Sequence, residues 1–504
     1  MMWLADGDQM RAIDKRAMEE YAVPGLVLME AASSFTARIA QEFFAPRGLV
    51  TVVTGGGNNG GDGWGAARHL AARGLPVQVI TAVDPLELQG DAAAQFRMYR
   101  EYGLPWEKYR GGEQFASAEL IIDALLGTGV RGEPRGTAAE IIAAINASPA
   151  PVLAVDIPSG LPAGFYPPPG PTVVARATAT FGLAKAGLYT PAGRQAGGKV
   201  FVDAIGLPPQ LLRDTGLVLN TAAHAARALP QRRRDSHKGS YGHGLLVAGS
   251  KGMSGAAIMA GTAALRGGLG LLTIACPQQV NAVIQSSLWE ALSLPLPDTE
   301  QGALSPEAVE LVEPEKYRAA AIGPGCRECA GTRALADLLL QSPLPLVLDA
   351  DALNVLAPGI PRRPAPTVVT PHPGEMARLL AAPVAEVVAA PLDACRRAAR
   401  QWQCTVILKG ASTCIADPDG NAAVNITGTD GLATGGSGDI LTGLLLGLLC
   451  QGAEPFAAAC AAAWLLGTAS ELAAGETGTA SQLPRDVLAK LPQAWLRLAR
   501  EAST

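Results

Sequence analysis

Short apolar runs recur along this chain, each giving way to a glycine turn and then to an alanine-rich stretch. Val77-Gln78-Val79-Ile80, Leu120-Ile121-Ile122, Val152-Leu153-Ala154-Val155, Leu245-Leu246-Val247, Ala319 to Ile322, Leu346-Val347-Leu348 and Val406-Ile407-Leu408 are examples. None alternates cleanly between apolar and polar residues, so such strands have no water-facing side. Separated by helical segments, they predict parallel sheets covered by helices on both faces. The fold class expected is therefore α/β throughout. A chain of 504 residues has room for about two or three such domains. An alanine-rich, helix-like stretch from Leu211 to Pro230 precedes Gln231-Arg232-Arg233-Arg234-Asp235, where a new strand region opens. Domains over 1–215 and 228–500 are expected, with the three arginines on a solvated connection.

Composition narrows the class of partner. Hydrophobic residues make up 48% and charged residues 17%, which describes a compact globular protein. A net charge of −5 supplies no basic field, so neither nucleic acid nor a membrane surface is expected as a partner. All eight cysteines lie from Cys276 onward, a poor disulfide framework that points to a reducing, cytoplasmic setting. Cys326-Arg-Glu-Cys329 has no second pair and is expected to be an ordinary loop. Met1 to Asp8 lacks the basic start and apolar stretch of a secretory leader. Ile440 to Cys450 is too short to span a bilayer and predicts a buried helix.

Candidate chemistry gathers at strand ends. Leu49 to Val53 runs into Gly55-Gly-Gly-Asn-Asn-Gly-Gly-Asp-Gly63, followed by the helix-like Trp64 to Arg73. Glycines at such a junction are expected to adopt positive φ and to let backbone N–H groups approach a ligand. The run fits the dinucleotide fingerprint only loosely, and Asn58, Asn59 and Asp62 add oxygens for a cation or a sugar. Asp123 and Asp156 each close an apolar run beside a glycine turn, where open parallel sheets bind ligands. The segments Asp8 to Asp14 and Leu26 to Ser33, joined by Tyr21 to Gly25, predict two amphipathic packing helices. In the second half, the glycines of Asp430 to Gly443 precede an apolar helix, a phosphate-favouring arrangement with Asp439 in its first turn as a candidate base. Lys409 and the hydroxyls of Ser412 and Thr413 follow a strand and suit a nucleotide phosphate. His372, between two prolines, sits on a stiff loop, while Asp349 and Asp351 follow Leu348.

Together, Gly55 to Gly63, Asp123-Ala-Leu-Leu-Gly-Thr-Gly-Val130 and Asp156-Ile-Pro-Ser-Gly160 resemble the NAD(P)H-hydrate epimerase family, the YjeF N-terminal domain, over about residues 8 to 212. The resemblance implies a Rossmann-like three-layer domain that interconverts the R and S forms of hydrated NADH or NADPH. It implies substrate contacts from Asn58, Asn59, Gly60, Gly61 and Asp62, from Gly127, Thr128, Gly129, Val130, Arg131, Gly132 and Glu133, and from Asp156. It also implies potassium held by Asn59, Asp123 and Ser159. Inversion by loss and re-addition of hydroxyl needs an acid–base group, for which Asp156 is the candidate and Asp123 the alternative.

His237-Lys-Gly239, Asp349-Ala-Asp-Ala-Leu-Asn354, Thr370-Pro-His-Pro-Gly-Glu375, Leu408-Lys-Gly-Ala411 and Gly435-Gly-Ser-Gly-Asp439 resemble the ribokinase-like NAD(P)H-hydrate dehydratase family. The likeness runs over about residues 232 to 495. It implies a ribokinase-like α/β domain that removes water from the S hydrate at the expense of ADP, with magnesium offsetting phosphate charge. Lys409, Gly410, Ala411, Ser412, Thr413 and Gly438 would contact the nucleotide; Ala256, Gly325, His372 and Asp439 would contact the hydrate, with Asp439 taking a proton. Ile322-Gly-Pro-Gly-Cys-Arg327 departs from the usual pattern, in which Leu-Gly follows Gly-Pro-Gly. The alternative reading is a small-molecule hydroxymethyl kinase fused to a nucleotide-binding module. A homo-oligomer is expected.

Overall fold

A computed structural model describes residues 1–129, 132–230 and 232–501. The chain divides into two compact units, Trp3–Leu217 and Val218–Thr504, the latter with Met1–Met2.

In the first unit the strands are β1 (Met2–Ala5), β2 (Val50–Thr54), β3 (Val77–Thr81), β4 (Trp106–Lys108), β5 (Leu120–Ala124), β6 (Val152–Val155), β7 (Ala177–Phe181), β8 (Ala184–Lys185) and β9 (Lys199–Asp203). The helices are α1 (Gly7–Glu20), α2 (Gly25–Ile39), α3 (Asn58–Ala72), α4 (Gly90–Glu101), α5 (Thr137–Ala147) and α6 (Pro191–Gly197). Seven strands form a parallel sheet in the order β4-β3-β2-β5-β6-β7-β9. Alternate residues of one strand serve opposite cores. Val50 and Val52 of β2 join Leu120 and Ile122 of β5 beneath α2, α3 and α4, whereas Val53 and Ile121 face Ile141, Ile142 and Ile145 of α5. Three layers result. The strand order reverses between β2 and β5, so a crevice opens beyond their carboxyl ends.

The second unit contains β10 (Leu217–Leu219), α7 (Ala222–Ala225), β11 (His243–Val247), α8 (Ser254–Arg266), β12 (Leu271–Pro277), α9 (Gln278–Ser287), β13 (Leu292–Leu296), β14 (Ala319–Ile322), α10 (Ala330–Gln341), β15 (Leu346–Leu348) and α11 (Ala350–Leu356). It continues through β16 (Thr367–Val369), α12 (Pro373–Leu380), α13 (Val384–Ala389), α14 (Pro391–Trp402), β17 (Thr405–Leu408), β18 (Thr413–Ala416), β19 (Ala422–Asn425), α15 (Ser437–Cys450), α16 (Pro455–Thr477) and α17 (Pro484–Glu501). The order is β13-β12-β11-β14-β15-β16-β17-β18-β19, parallel from β13 to β17 and antiparallel thereafter. Here the reversal lies between β11 and β14. Every residue of α15 from Ile440 to Cys450 is buried, as expected for a core helix.

Two expectations fail. Leu211–Pro230 is not one helix: Leu217–Leu219 is strand β10 and only Ala222–Ala225 is α-helical. Backbone pairing outweighs alanine propensity there, with Asn220 N donating to Val424 O at 2.9 Å. The glycines of the first motif also differ. Helix α3 begins at Asn58, and none of Gly55 to Gly63 has positive φ. At Gly55, Gly60, Gly61 and Gly63 neighbours come too close for a side chain, whereas Gly56 and Gly57 have room for one. A β-carbon at Gly60 would lie 2.1 Å from Gly55 O, and one at Gly63 would lie 2.6 Å from the Ala124 β-carbon.

Candidate active sites

A cavity of about 520 Å³ fills the crevice of the first unit. Gly56, Gly57, Asn58, Asn59 and Asp62 reach it from the start of α3, and Gly127, Thr128 and Gly129 from the loop after β5. Asp156 enters from the end of β6, with its backbone at φ 63°, a left-handed conformation that Asp tolerates. Gly60 and Gly61 lie within α3, packed on Gly55 and Met29 rather than lining the cavity. Gly132 and Glu133 are exposed, and Val130 and Arg131 lie outside the described residues.

Two residues given no site role from the sequence, Asp14 and Lys185, also line this cavity. Lys185 of β8 is buried and donates to Asp156 Oδ1, to Thr180 Oγ1 at 3.1 Å and to Phe181 O at 2.8 Å. Asp156 Oδ1 also accepts from Thr180 Oγ1 at 3.1 Å and Phe181 N at 3.2 Å. Asp14 lines the same cavity from α1, beside Met10 and Met18. The helices read as packing elements are therefore also site elements. The available signal was a lone acid at Met10, Asp14 and Met18 spacing, which places it on one helix face with two methionines.

Beneath this cavity, Asp123 is fully buried. It accepts from Ser159 Oγ at 2.6 Å, Ser159 N at 2.8 Å and Leu125 N at 3.2 Å. Burial pushes its carboxyl up to about 6, against the lowering effect of those bonds. Asn59 donates through Nδ2 to Leu126 O at 3.0 Å, yet its Oδ1 is buried and accepts from nothing among the described residues. An orphaned amide oxygen, a hydroxyl and a dehydrated carboxylate form a donor set suited to a large monovalent cation. Those three residues fit potassium.

In the second unit the glycine turn before α15 meets the strand ends. Asp349, after β15, is buried and accepts from Lys409 Nζ at 2.9 Å, Thr370 Oγ1 at 2.7 Å and Thr442 Oγ1 at 2.8 Å. Burial would raise the Asp349 carboxyl, but Lys409 and these hydrogen bonds outweigh it and hold it below the usual range. Lys409 is correspondingly raised: burial opposes, and Asp349 with Glu375 prevails. Gly438 lies against this pair, a β-carbon there falling 3.5 Å from Lys409 Nζ and 3.7 Å from Asp349 Oδ2. Asp439 is lifted to about 7, chiefly by burial and then by Asp349, with Lys409 opposing. Asp439 is thus poised to exchange a proton near neutrality.

Ala256 and Gly325 are brought together: a β-carbon on Gly325, whose φ is 62°, would lie 3.0 Å from that of Ala256. Arg327 follows in the departing segment and ties it down, donating from its backbone N to Asp351 at 2.8 Å and from its guanidinium to Lys251 O at 2.8 Å. His372 caps α12, its Nδ1 accepting from Gly374 N at 3.0 Å, while its Nε2 faces Glu375 at 3.5 Å. Glu375 also lies 3.7 Å from Lys409 and so links the two loops. Gly410 N is 3.4 Å from Thr413 Oγ1, and the buried Ser412 Oγ is unpartnered among the described residues. Cys326 and Cys329 donate to the carbonyls of Val247 and Leu304.

Two family models match the chain. Residues 25–187 match the YjeF-related protein N-terminus, and residues 244–493 match NAD(P)H-hydrate dehydratase. The bifunctional NAD(P)H-hydrate repair enzyme Nnr of Moorella thermoacetica is 38% identical, over 100% of this chain and 98% of that protein. The chain belongs to this repair-enzyme family. The Escherichia coli bifunctional NAD(P)H-hydrate repair enzyme Nnr is 34% identical, over 97% and 93% of the two chains. Among solved structures, the ADP/ATP-dependent NAD(P)H-hydrate dehydratase of Bacillus subtilis, co-crystallised with ATP and Mg2+, is 38% identical with a TM-score of 0.51. It covers 56% of this chain and 98% of its own. A ribokinase-like superfamily protein from Enterococcus faecalis is similar at 25% identity and a TM-score of 0.50, covering 57% of this chain and 98% of its own. The ribokinase-like assignment of the repair enzyme's second unit follows from these two structures.

Proposed function

We propose that this chain repairs hydrated nicotinamide cofactors in two steps. The first unit epimerises the R and S hydrates of NADH or NADPH, and the second dehydrates the S form using ADP. One observation carries the reading: each compact unit brings glycine turns and acids together beyond the carboxyl ends of its parallel strands. The domains 1–215 and 228–500 correspond to these two activities.

For the first step, Asn58, Asn59, Asp62 and the loop from Gly127 to Glu133 take the substrate. Asp156 faces the positive ring that forms when the C6 hydroxyl departs. Asn59, Asp123 and Ser159 would hold potassium. That ion, when bound, supplies a fixed positive charge that keeps Asp123 ionised beneath the cavity. For the second step, Lys409 to Thr413 and Gly438 bind the nucleotide, and Ala256, Gly325, His372 and Asp439 bind the hydrate. Hydroxide is a poor leaving group, so phosphorylation of the C6 hydroxyl comes first. Asp439 takes the hydroxyl proton while the amides that open α15 face the transferring phosphoryl group. Elimination of phosphate, with loss of a proton from the neighbouring carbon, restores the dihydropyridine. Magnesium would be held largely by the nucleotide phosphates, because among the described residues no three metal-ligating side chains converge.

The test mixes both hydrate epimers with the protein and ADP or ATP and follows returning NADH absorbance. Full recovery is expected. Recovery of the S fraction alone would reduce the first unit to a binding module, and phosphate transfer to a hydroxymethyl compound without recovery would favour a kinase.

A further inference from the structure

The first cavity holds more acid than its hydrogen bonds satisfy. Asp14, Asp62 and Asp156 all line it, and Lys185 is the lysine among them. The three carboxyls differ sharply in surroundings. Asp156 Oδ1 accepts from Lys185, Thr180 and Phe181 N. Among the described residues, no hydrogen bond engages the carboxyl of Asp14 or of Asp62. A carboxyl taken from water without donors favours its protonated form. Two half-buried acids beside a third that is already paired with Lys185 cannot all be ionised at little cost.

Asp14 is the one whose position the fold has to explain. Its neighbours Lys15, Arg16 and Glu19 are on the exposed face of α1, whereas Asp14 is turned inward with Met10. Charged groups facing it come from every side of the cavity: Asp62 on α3, Asp156 after β6, Lys185 on β8, Asp91 on α4, and Arg11 on its own helix, which is paired with Asp8. Burial, opposed by Lys185 and reinforced by Asp156, sets the Asp14 carboxyl at about 6. Asp62 is pushed well above its usual range by burial first and by Asp156 next, with Lys185 opposing. An acid–base group works best when it exchanges near the working pH.

We propose that Asp14 is the acid–base residue of epimerisation, an inference that rests on the epimerase reading above. The Asp14 carboxyl gives its proton to the C6 hydroxyl oxygen. The C6–O bond breaks with its electron pair going to that oxygen, and water departs. The ring-nitrogen lone pair forms the C6–N double bond, leaving a cationic ring beside Asp156 and a carboxylate on Asp14. Water then adds to the other face of C6, the double-bond pair returns to nitrogen, the added water gives up a proton to bulk water, and the Asp14 carboxylate, on the first face, takes one back from bulk water. No proton is gained or lost overall.

The test uses the full chain with Asp14→Asn and Asp14→Glu, pure R hydrate, and chromatographic separation of the epimers against a buffer control. Asp14→Asn is expected to lower kcat for R-to-S conversion about 10²- to 10⁴-fold with little change in KM. Dehydration of pure S hydrate is expected to continue at the unaltered rate. Asp14→Glu is expected to restore part of the loss. In the unaltered chain, kcat/KM is expected to fall about tenfold per pH unit above about 6, because the donor must be protonated, and Asp14→Asn is expected to lack that limb. Epimerisation by Asp14→Asn within about threefold of the unaltered chain would overturn the proposal. A loss confined to KM would also overturn it, by reducing Asp14 to a structural contact. If the unaltered chain fails to convert R to S, the epimerase reading itself falls.

Discussion

Asp439 shows how much one burial environment decides. It occupies the first turn of α15, where an acid ordinarily serves only the helix dipole. Burial and the neighbouring Asp349 lift its carboxyl to about 7, so it must be deprotonated before it can accept a hydroxyl proton. The dehydration rate is therefore expected to rise with pH up to about 7 and to fall about tenfold per unit below it. Asp439→Asn should cost about 10²- to 10⁴-fold in dehydration while leaving epimerisation intact, measured on pure S and pure R hydrate respectively. Loss of both activities would mean the two sites are not separate. Asp123, Asp156 and Asp439 were legible in the sequence because each ends a strand or opens a helix beside glycines. Asp14, Lys185 and Asp349 were less so. Their roles come from side chains meeting across elements, as when Lys185 reaches Asp156 through a contact that neither residue's neighbours announce.

At the scale of elements, the parallel strands were readable from their unbroken apolar runs, and the core helix α15 from its length. Boundaries fared worse where glycine was concerned. The turn expected over Gly55 to Gly63 is mostly helix, and four of its glycines, Gly55, Gly60, Gly61 and Gly63, answer close contact rather than positive φ. The same logic governs α15. A β-carbon at Gly443 would sit 2.0 Å from Ala260 O of α8, and one at Gly447 2.8 Å from Ala264 O. The two helices touch backbone to backbone along this seam. Gly443→Ala is expected to destabilise the second unit by about 3 kcal/mol despite alanine's better helix propensity, as read by chemical denaturation. A gain in stability would show that the seam can open at no cost.

For the molecule as a whole, ligand linkage gives a readout independent of catalysis. A cation that binds the folded chain and not the unfolded one stabilises it by mass action. Potassium is expected to raise the melting temperature, about 2.7 kcal/mol of stabilisation accruing at a hundredfold excess over its dissociation constant. A bulky organic cation at equal ionic strength should not reproduce the rise, and Asn59→Ala should abolish it. An equal rise in the Asn59→Ala chain would remove Asn59 from the site.

Helix α16 carries a last consequence. Among the described residues it is the one helix long and apolar enough to cross a membrane, and 72% of its apolar window is buried inside the protein. That surface is covered partly by α17, which follows it in the chain. Until α17 has been synthesised and has docked, the face of α16 that α17 covers stays open, while α7, α15 and the strands β17 to β19 already cover other parts of the helix. Partly made or partly unfolded copies therefore share one more apolar face than the finished chain does.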